Sequence, residues 1–335
     1  MTIKDIAKEC GVGVGTVSRV LNGQAGVSEA MREKVQQVID KYDFVLNQNA
    51  KLLKEQERHT ILILVKGMSS ILLNSLLECI QKRFEELPYT ADVVVLDEYE
   101  NEAQYACRIF YARKPIGIVF LGGTPDVYKD DFAKLKVPCV LISNQAHSVN
   151  NSNLSSISID DCGGSSFTAE FLIKNGHRQI GVIGGELESS ELSRRRYQSF
   201  LTVLESHGIP FDFEKQYVAA KYSFEGGAQA AKKLLDQVPN ISAIFTMADV
   251  MAIGAMRTLA DRGYSVPRDI SVTGFDGLEI SQYCTPRLTT IRQKTDLLAE
   301  QGLALLLKSI TEKAPNNHIL IPFEFIEGES VSNVR

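Results

Sequence analysis

Hydrogen-bonding side chains recur along one short segment near the amino terminus, residues 14–19. The segment reads Val14-Gly15-Thr16-Val17-Ser18-Arg19. On a helix, its hydroxyls and guanidinium point outward while Val17 lies on the opposite, apolar face. A rigid helix with a narrow polar face is what the major groove of DNA admits. The chemistry indicated here is therefore hydrogen bonding to a nucleic acid.

Three short helical patterns would position this segment. Apolar residues recur at helical spacing in each pattern: Ile3, Ile6, Ala7 and Cys10 in the first, Val17, Val20 and Leu21 in the second, and Val35, Val38, Ile39 and Tyr42 in the third. Gly11 supplies a stop after the first helix, and Ser28 is a good N-cap for the third. The first two helices are separated by about three residues, which is typical of a helix-turn-helix. A generic three-helix bundle is the alternative that the pattern leaves open.

A longer run of residues resembles one family of bacterial regulators. Residues 2–12 read Thr-Ile-Lys-Asp-Ile-Ala-Lys-Glu-Cys-Gly-Val, residues 16–23 read Thr-Val-Ser-Arg-Val-Leu-Asn-Gly, and Val27-Ser28 follows. This sequence closely resembles the start of the lactose/galactose-repressor family of bacterial transcription regulators. The resemblance implies a set of residues near DNA phosphates: Thr2, Thr16, Ser18, Asn22 and Ser28. It implies a second set that faces base edges: Val14, Gly15 and Arg19.

The base-facing positions differ in what they can read. Arg19 suits a bidentate contact with guanine, whereas Val14 offers only an apolar surface, for instance to a thymine methyl. Gly15 has no side chain to read with, and Gly13 stands where the family usually has a serine cap for this helix. We therefore expect operator specificity to depend on Arg19 and on the segment that follows the three helices.

Residues 44–53 align with the hinge segment of that family. Asn47, Ala50 and Leu53 match the family, but Leu46 replaces the proline that usually precedes the asparagine. The resemblance implies a helix that forms on the operator, with Leu53 as a wedge in the minor groove. The alternative is that residues 44–57 continue the third helix as a linker, and the missing proline favours that alternative.

Beyond residue 60, short apolar runs alternate with amphipathic helical patterns. The runs predict strands at 61–65, 92–96, 117–121, 139–142, 180–183, 243–246 and 271–274, and a late strand at 319–325. Continuous apolar strands separated by helices predict parallel sheets covered on both faces. About 270 residues exceed what one such sheet uses, so we expect two α/β lobes. A single barrel of eight repeats is the competing architecture.

Motifs in this region resemble the effector-binding core of the same family. They include Gly176-His-Arg-Gln-Ile-Gly-Val-Ile-Gly-Gly185 and Val266-Pro-x-Asp-Ile-Ser-Val-x-Gly-Phe-Asp276. That core is similar to the periplasmic sugar-binding proteins, with two doubly wound lobes crossed by three strands and a ligand cleft between them. The implied domains are a helix-turn-helix at 1–46, a hinge at 47–58, a first lobe at 59–158 with 292–320, and a second lobe at 159–291 with 321–335.

Two charged residues align with the family's ligand contacts in the cleft. A guanidinium from Arg196 and a carboxylate from Asp276 could grip vicinal hydroxyls by charge-assisted hydrogen bonds, which suits a sugar. Without ligand, the two side chains could instead pair with each other. The neighbouring Arg194 and Arg195 are interpreted as solvated charges at a helix start.

Further contacts are implied around the same cleft. Tyr222 aligns with an aromatic residue that stacks on a sugar or base face. Asp249 starts a helix, where its carboxylate could cap the helix, contact ligand, or do both. The first lobe is more divergent, with Leu72-Leu73 where the family commonly has an aromatic pair at the cleft mouth. From that lobe we nominate three hydroxyls: Ser69, Ser70 and Ser143.

Composition and motif searches exclude other classes. The net charge is −5, with nine Lys/Arg and eight Asp/Glu in residues 1–58, so charge alone would not indicate DNA binding. No apolar run is long enough to span a membrane, and no secretion signal is recognisable at the start. The six cysteines are scattered and form no C-x-x-C pair, so we expect the protein to reside in the reducing cytoplasm. The five histidines lack metal-binding spacing, and nucleophile-elbow and phosphate-loop motifs are absent from the sequence. The adjacent Asp160 and Asp161 are interpreted as a turn or cap. Neither an enzyme nor a cofactor is expected.

The sequence thus predicts a sugar-responsive transcription repressor that binds a palindromic operator as a homodimer. No heptad run follows the late strand, so a coiled-coil tetramer is not expected. Alternatives are a two-lobed binding protein without a role at DNA, a cytosolic enzyme on a doubly wound fold, and a regulator that responds to a purine or a phosphoprotein.

Overall fold

The computed structural model describes residues 3–21, 25–42, 59–67, 70–98 and 100–334. The chain divides into two compact units, residues 1–57 and 58–335. Several predicted contact residues lie outside the described residues: Thr2, Asn22, Asn47, Ala50, Leu53 and Ser69. Predictions at these positions therefore remain predictions.

The amino-terminal unit contains three helices, α1 (Ile3–Cys10), α2 (Val14–Leu21) and α3 (Glu29–Lys41). Their apolar stripes meet in one core in which Ile6, Val17 and Val35 are fully buried. Gly11 has a φ of +63°, a left-handed conformation that ends α1 at little steric cost. Tyr42 was expected to face inward but is 41% exposed, because its hydroxyl donates to Glu9 across the bundle at 2.8 Å.

The described part of the second unit forms two six-stranded sheets, which excludes a single barrel. The first sheet is entirely parallel, in the order β2-β1-β3-β4-β5-β11. Its strands are β1 (Thr60–Lys66), β2 (Thr90–Leu96), β3 (Gly117–Leu121), β4 (Cys139–Ile142), β5 (Leu154–Ile159) and β11 (His318–Ile321). Its helices are α4 (Ile71–Phe84), α5 (Glu102–Arg113), α6 (Lys129–Phe132) and α12 (Thr295–Thr311).

The second sheet has the order β7-β6-β8-β9-β10-β12 and is parallel except for β12, which runs antiparallel to β10. Its strands are β6 (Ile180–Gly184), β7 (Tyr217–Ala219), β8 (Ala243–Thr246), β9 (Ser271–Asp276), β10 (Thr289–Arg292) and β12 (Glu324–Ile326). Its helices are α7 (Asp161–Lys174), α8 (Glu191–Ser206), α9 (Phe213–Gln216), α10 (Phe224–Gln237) and α11 (Asp249–Asp261). We call the two sheets with their helices the first and second lobes.

Both faces of the central strands are buried, which explains their continuous apolar sequences. In β1, Ile61 and Ile63 pack into one apolar cluster while Leu62 and Leu64 pack into another on the opposite face. Strands covered on both sides by helices lose the polar alternation of half-exposed strands.

The chain passes between the lobes three times within its described residues: after β5, after β10 and after β11. The predicted single strand at 319–325 is wrong, because the chain leaves the first sheet at Ile321 and enters the second at Glu324. Pro322 lies at this break, and a proline has no amide to donate to a continuing ladder. None of the described helices is long and apolar enough to cross a membrane.

Candidate functional site

Helix α2 exposes the face that the sequence assigned to DNA. Val14, Gly15 and Arg19 are exposed, whereas Val17 and Val20 are buried against the other two helices. Thr16 and Ser18 are half-buried at the border between the two faces. The helix therefore presents its predicted base-facing residues outward on a rigid apolar support.

The helix starts are held differently from the expected capping pattern. The carbonyl oxygen of Gly13 accepts the amide of Thr16 at 2.9 Å, so α2 begins on backbone hydrogen bonds. Ser28 occupies the N-cap position of α3, yet its side chain makes no capping hydrogen bond. Ser28 is exposed there, and a role at a DNA phosphate stays a prediction.

A cavity of about 240 Å³ lies between the two lobes, at the carboxyl ends of several strands. It is lined by five of the predicted effector contacts: Ser70, Ser143, Arg196, Tyr222 and Asp276. Parallel α/β sheets commonly bind ligands beyond the carboxyl ends of their strands. The structure therefore brings most of the predicted contacts to one enclosed site.

Arg196 is buried, and its guanidinium is held on three sides. Its Nε and Nη2 atoms donate to Oδ1 of Asp161 at 2.9 and 2.7 Å, and Nη1 donates to the carbonyl oxygen of Met247 at 2.6 Å. The ring of Phe275 lies beneath the guanidinium, 3.6 Å from its carbon to the ring centroid. Asp276 is more distant, 4.0 Å from Nη1.

Asp160 and Asp161 have different roles, and the interpretation from the sequence is correct for Asp160 alone. Asp160 does cap α7, since its carboxylate accepts the amide of Gly163 at 2.9 Å. Asp161 is not a turn or cap residue but the principal ion-pair partner of Arg196. The main partner of the arginine is therefore Asp161 and not, as considered above, Asp276.

Asp276 ends β9 in an unusual conformation, with a φ of +112° that side chains rarely adopt. Its carboxylate accepts a hydrogen bond from Nε2 of Gln293 at 2.8 Å. Burial raises the pKa of Asp276 to about 6, although Arg196 and Gln293 favour the charged form. A carboxylate that lacks full solvation at a cavity wall is poised to accept hydrogen bonds from a ligand.

Asp249 lies outside the cavity lining. It is the first residue of α11, and its carboxylate accepts the amide of Leu278 and the hydroxyl of Thr290, both at 2.6 Å. Burial raises the pKa of Asp249 well above its usual range, and the nearby Asp276 adds to this effect. Its contacts thus hold the loop after Asp276 to β10.

Tyr222 lies at the cavity wall, and 36% of the residue is exposed. Its hydroxyl is 2.9 Å from Oγ of Ser193, which in turn donates to Oγ of Ser190. On the first lobe, Ser143 has a φ of +74°, so both Ser143 and Asp276 leave their strands in the left-handed region. Both residues line the cavity.

The sequence interpretation missed a buried ion pair on the first-lobe wall. Lys66, which ends β1, donates from Nζ to Glu102 at 2.5 Å and to Oγ1 of Thr124 at 2.9 Å. Lys66 and Thr124 both line the cavity. The available signal was a lysine directly after the apolar run at 61–65.

Two ion pairs join the lobes at the rim of the cavity. Arg195 lies 3.9 Å from Asp126, and Lys221 lies 3.5 Å from Glu98. The side chain of Arg195 is only 19% exposed, so its assignment as a solvated charge is wrong. The side chain of Arg194 is 40% exposed, as expected for a solvated charge, and its Nε and Nη2 also donate to the carbonyl oxygen of Leu187. Among the described residues, no group of three His, Cys, Asp or Glu side chains is placed to hold a metal ion.

Comparisons with known proteins match both units. Residues 2–47 match the lacI family of bacterial regulatory proteins, and residues 169–331 match a periplasmic binding protein-like domain. The HTH-type transcriptional regulator MalR of Clostridium butyricum is 32% identical to the chain, with 100% of each sequence covered.

Two solved structures extend the similarity to the fold. A lac repressor dimer bound to operator and the anti-inducer ONPF has a TM-score of 0.74 and 26% identity, with 99% of each chain covered. A complex of the transcriptional regulator CelR with cellobiose has a TM-score of 0.73 and 25% identity, covering 98% of this chain and 99% of that one. The helix-turn-helix, the two lobes and the 32% identity to MalR over the full length of the chain show that the chain belongs to the lacI family of bacterial regulatory proteins.

Proposed function

We propose that this protein is a cytoplasmic transcription repressor that binds a palindromic operator as a homodimer and releases it when a sugar occupies the cavity between the lobes. The observation that carries the proposal is the cavity wall itself. Arg196, Asp276 and Gln293 converge there with their polar atoms withdrawn from solvent. Such a preorganised polar wall suits a hydroxyl-rich ligand.

The relatives support the two halves of this proposal. A CelR complex contains cellobiose, and a lac repressor dimer is bound to operator. We propose for DNA contact the residues predicted from the sequence: Thr2, Val14, Gly15, Thr16, Ser18, Arg19, Asn22, Ser28, Asn47, Ala50 and Leu53. We propose for effector contact Ser70, Ser143, Arg196, Tyr222 and Asp276, together with Ser69, which precedes Ser70 in the sequence, and with Asp249 acting through the loop at Leu278.

Domain boundaries follow the same reasoning. We propose the helix-turn-helix at 1–46, the hinge at 47–58, the first lobe at 59–158 with 292–320, and the second lobe at 159–291 with 321–335. The strands of the first sheet come from residues 60–159 and 318–321, and those of the second from 180–292 and 324–326, which supports this division to within one residue at each boundary.

The test begins with selection of DNA by the full chain from a library with randomised half-sites. We expect an inverted repeat with half-site centres about one helical turn apart. Fluorescence anisotropy on that DNA, with and without cellobiose, ribose and other sugars, then measures release. Enrichment of no sequence, or operator affinity that no bound sugar alters, would refute the proposal.

A further inference from the structure

The cationic side chains that line the cavity form ion pairs with buried carboxylates. Among the described lining residues the cations are Lys66 and Arg196. Lys66 pairs with Glu102, and Arg196 pairs with Asp161; all four side chains are at least nine-tenths buried. Each carboxylate therefore neutralises a charge that could otherwise attract an anionic ligand.

Carboxylates predominate among the remaining charges of the wall. The described lining residues include Glu98, Asp126, Glu191 and Asp276. The cations that face them lie outside the lining: Lys221 pairs with Glu98, Arg195 with Asp126 and Glu191, and Arg194 with Glu191. A ligand in the cavity thus meets more negative than positive groups, and each positive group has a carboxylate partner.

The amino-terminal turn of α4 also faces the cavity, but it presents aliphatic side chains. Ile71 and Leu72 line the cavity and pack against the apolar cluster of the second lobe. The cap of this helix is used internally, since Oγ of Ser70 accepts the amide of Leu73 at 3.3 Å. The hydroxyl of Ser70 is therefore the one side-chain donor that the described lining residues of this turn offer to a phosphate, and no cationic side chain accompanies it.

Resting on the function proposed above, we infer that the effector is an uncharged polyhydroxyl compound and that the cavity discriminates against phosphorylated and carboxylated sugars. An anion would have to draw Lys66 or Arg196 away from a buried carboxylate, which would then be left without its partner. Hydroxyls need no such exchange, because they donate to Asp276 and accept from neutral or already paired donors.

Isothermal titration calorimetry on the full chain tests this with matched ligands. The neutral members are ribose, glucose, galactose and cellobiose; their anionic counterparts are ribose 5-phosphate, glucose 6-phosphate, galacturonate and cellobionate. We expect at least one neutral member to bind, and its anionic counterpart to bind at least 100-fold more weakly, equivalent to about 2.7 kcal/mol. An anionic member that binds as tightly as its neutral counterpart, or a panel in which no neutral member binds, would overturn the inference.

A charge-removal variant separates electrostatics from shape. The double variant Glu98→Gln, Asp126→Asn leaves Lys221 and Arg195 with one carboxylate fewer each, so we expect the discrimination against anions to fall at least tenfold. Asp130→Asn is the matched control, since Asp130 is exposed and lies outside the cavity lining. Unchanged discrimination in the double variant would overturn the electrostatic reasoning.

The anisotropy assay distinguishes this inference from the proposed function. A neutral ligand that binds without altering operator affinity would refute the proposed function and leave the ligand class intact. An anionic ligand that releases the operator would do the reverse.

Discussion

Removing the carboxylate of Asp161 should destabilise the second lobe by leaving Arg196 without its main partner. In Asp161→Asn, the oxygen that accepts from Nε and Nη2 of Arg196 loses its negative charge, and an uncharged amide oxygen is a weaker acceptor for a guanidinium. Both side chains are only 2% exposed, so water cannot replace the lost interaction. Breaking a buried pair in this way typically costs about 3–5 kcal/mol.

Neighbouring groups should hold the cost near the lower end of that range. The carbonyl oxygen of Met247 still accepts from Nη1 at 2.6 Å, and the ring of Phe275 still supports the cation. The carboxylate of Asp276, 4.0 Å from Nη1, can partly neutralise the charge of the guanidinium. We therefore expect a loss of about 3 kcal/mol in the free energy of unfolding.

A double-mutant cycle with Arg196→Met isolates the pair. Arg196→Met alone leaves Asp161 buried without a cation, while the double variant removes both charges of the Arg196–Asp161 pair; the loss of Arg196 near Asp276 is common to both and cancels in the cycle. Urea denaturation followed by circular dichroism should give a coupling energy of about 2–3 kcal/mol between the two substitutions. Strictly additive costs would show that Met247 and Asp276, rather than Asp161, hold the guanidinium, and would refute this reading of the site.

Further predictions concern function and pH. Asp276→Ala should abolish the response of operator binding to ligand in the anisotropy assay while leaving ligand-free operator affinity nearly unchanged; a ligand that still shifts operator affinity in this variant would contradict the cavity assignment. Arg19→Ala should cost about 1–3 kcal/mol on the selected operator and relax preference there, whereas an equal loss on random DNA would indicate a phosphate contact. Burial raises the pKa of Asp276 to about 6, so the folded state binds a proton there more tightly than the unfolded state does. The resulting contribution to the free energy of unfolding is present below about pH 4 and is lost as the pH rises through 6. Effector affinity should change in the opposite direction, weakening as the pH falls through 6, since ligand hydroxyls donate to the charged carboxylate; titration calorimetry should show no such dependence in Asp276→Asn. Sedimentation should show a dimer at micromolar concentration, and a stable tetramer or a monomer would count against the proposed assembly.

The central strands could be predicted because strands buried on both faces consist of consecutive apolar residues. The run at 61–65 is apolar throughout, and the strand found there is Thr60–Lys66. β5 was passed over because Ser155, Ser156 and Ser158 interrupt its apolar pattern, although all six residues of the strand are buried. Two of these hydroxyls contact remote groups: Oγ of Ser155 accepts the amide of Asn317, and Oγ of Ser156 lies 2.8 Å from Nδ1 of His318. A local pattern cannot show a partner 162 positions away.

The sequence could predict a site residue where the residue lies within a recognisable local motif. Arg196 and Asp276 were found by resemblance to a family motif, and both line the cavity. Asp161 was misread because its partner lies 35 positions further along the chain and only the packing of α7 against α8 brings them together. The pair of Lys66 and Glu102 was missed for the same reason, since it joins the end of β1 to the start of α5.

The two ion pairs that join the lobes at the rim of the cavity are weak enough for a ligand to rearrange them. The exposed pair of Lys221 with Glu98 is worth about 0–1 kcal/mol, and the less exposed pair of Arg195 with Asp126, at 3.9 Å, has loose geometry. Coupling between an effector and a second ligand is typically about 1–3 kcal/mol. A sugar that contacts residues of both lobes can therefore redistribute the lobe arrangement without breaking the buried pairs of Arg196 and Lys66. If a sugar weakens operator binding as proposed, operator DNA weakens sugar binding by the same factor, because coupling is reciprocal.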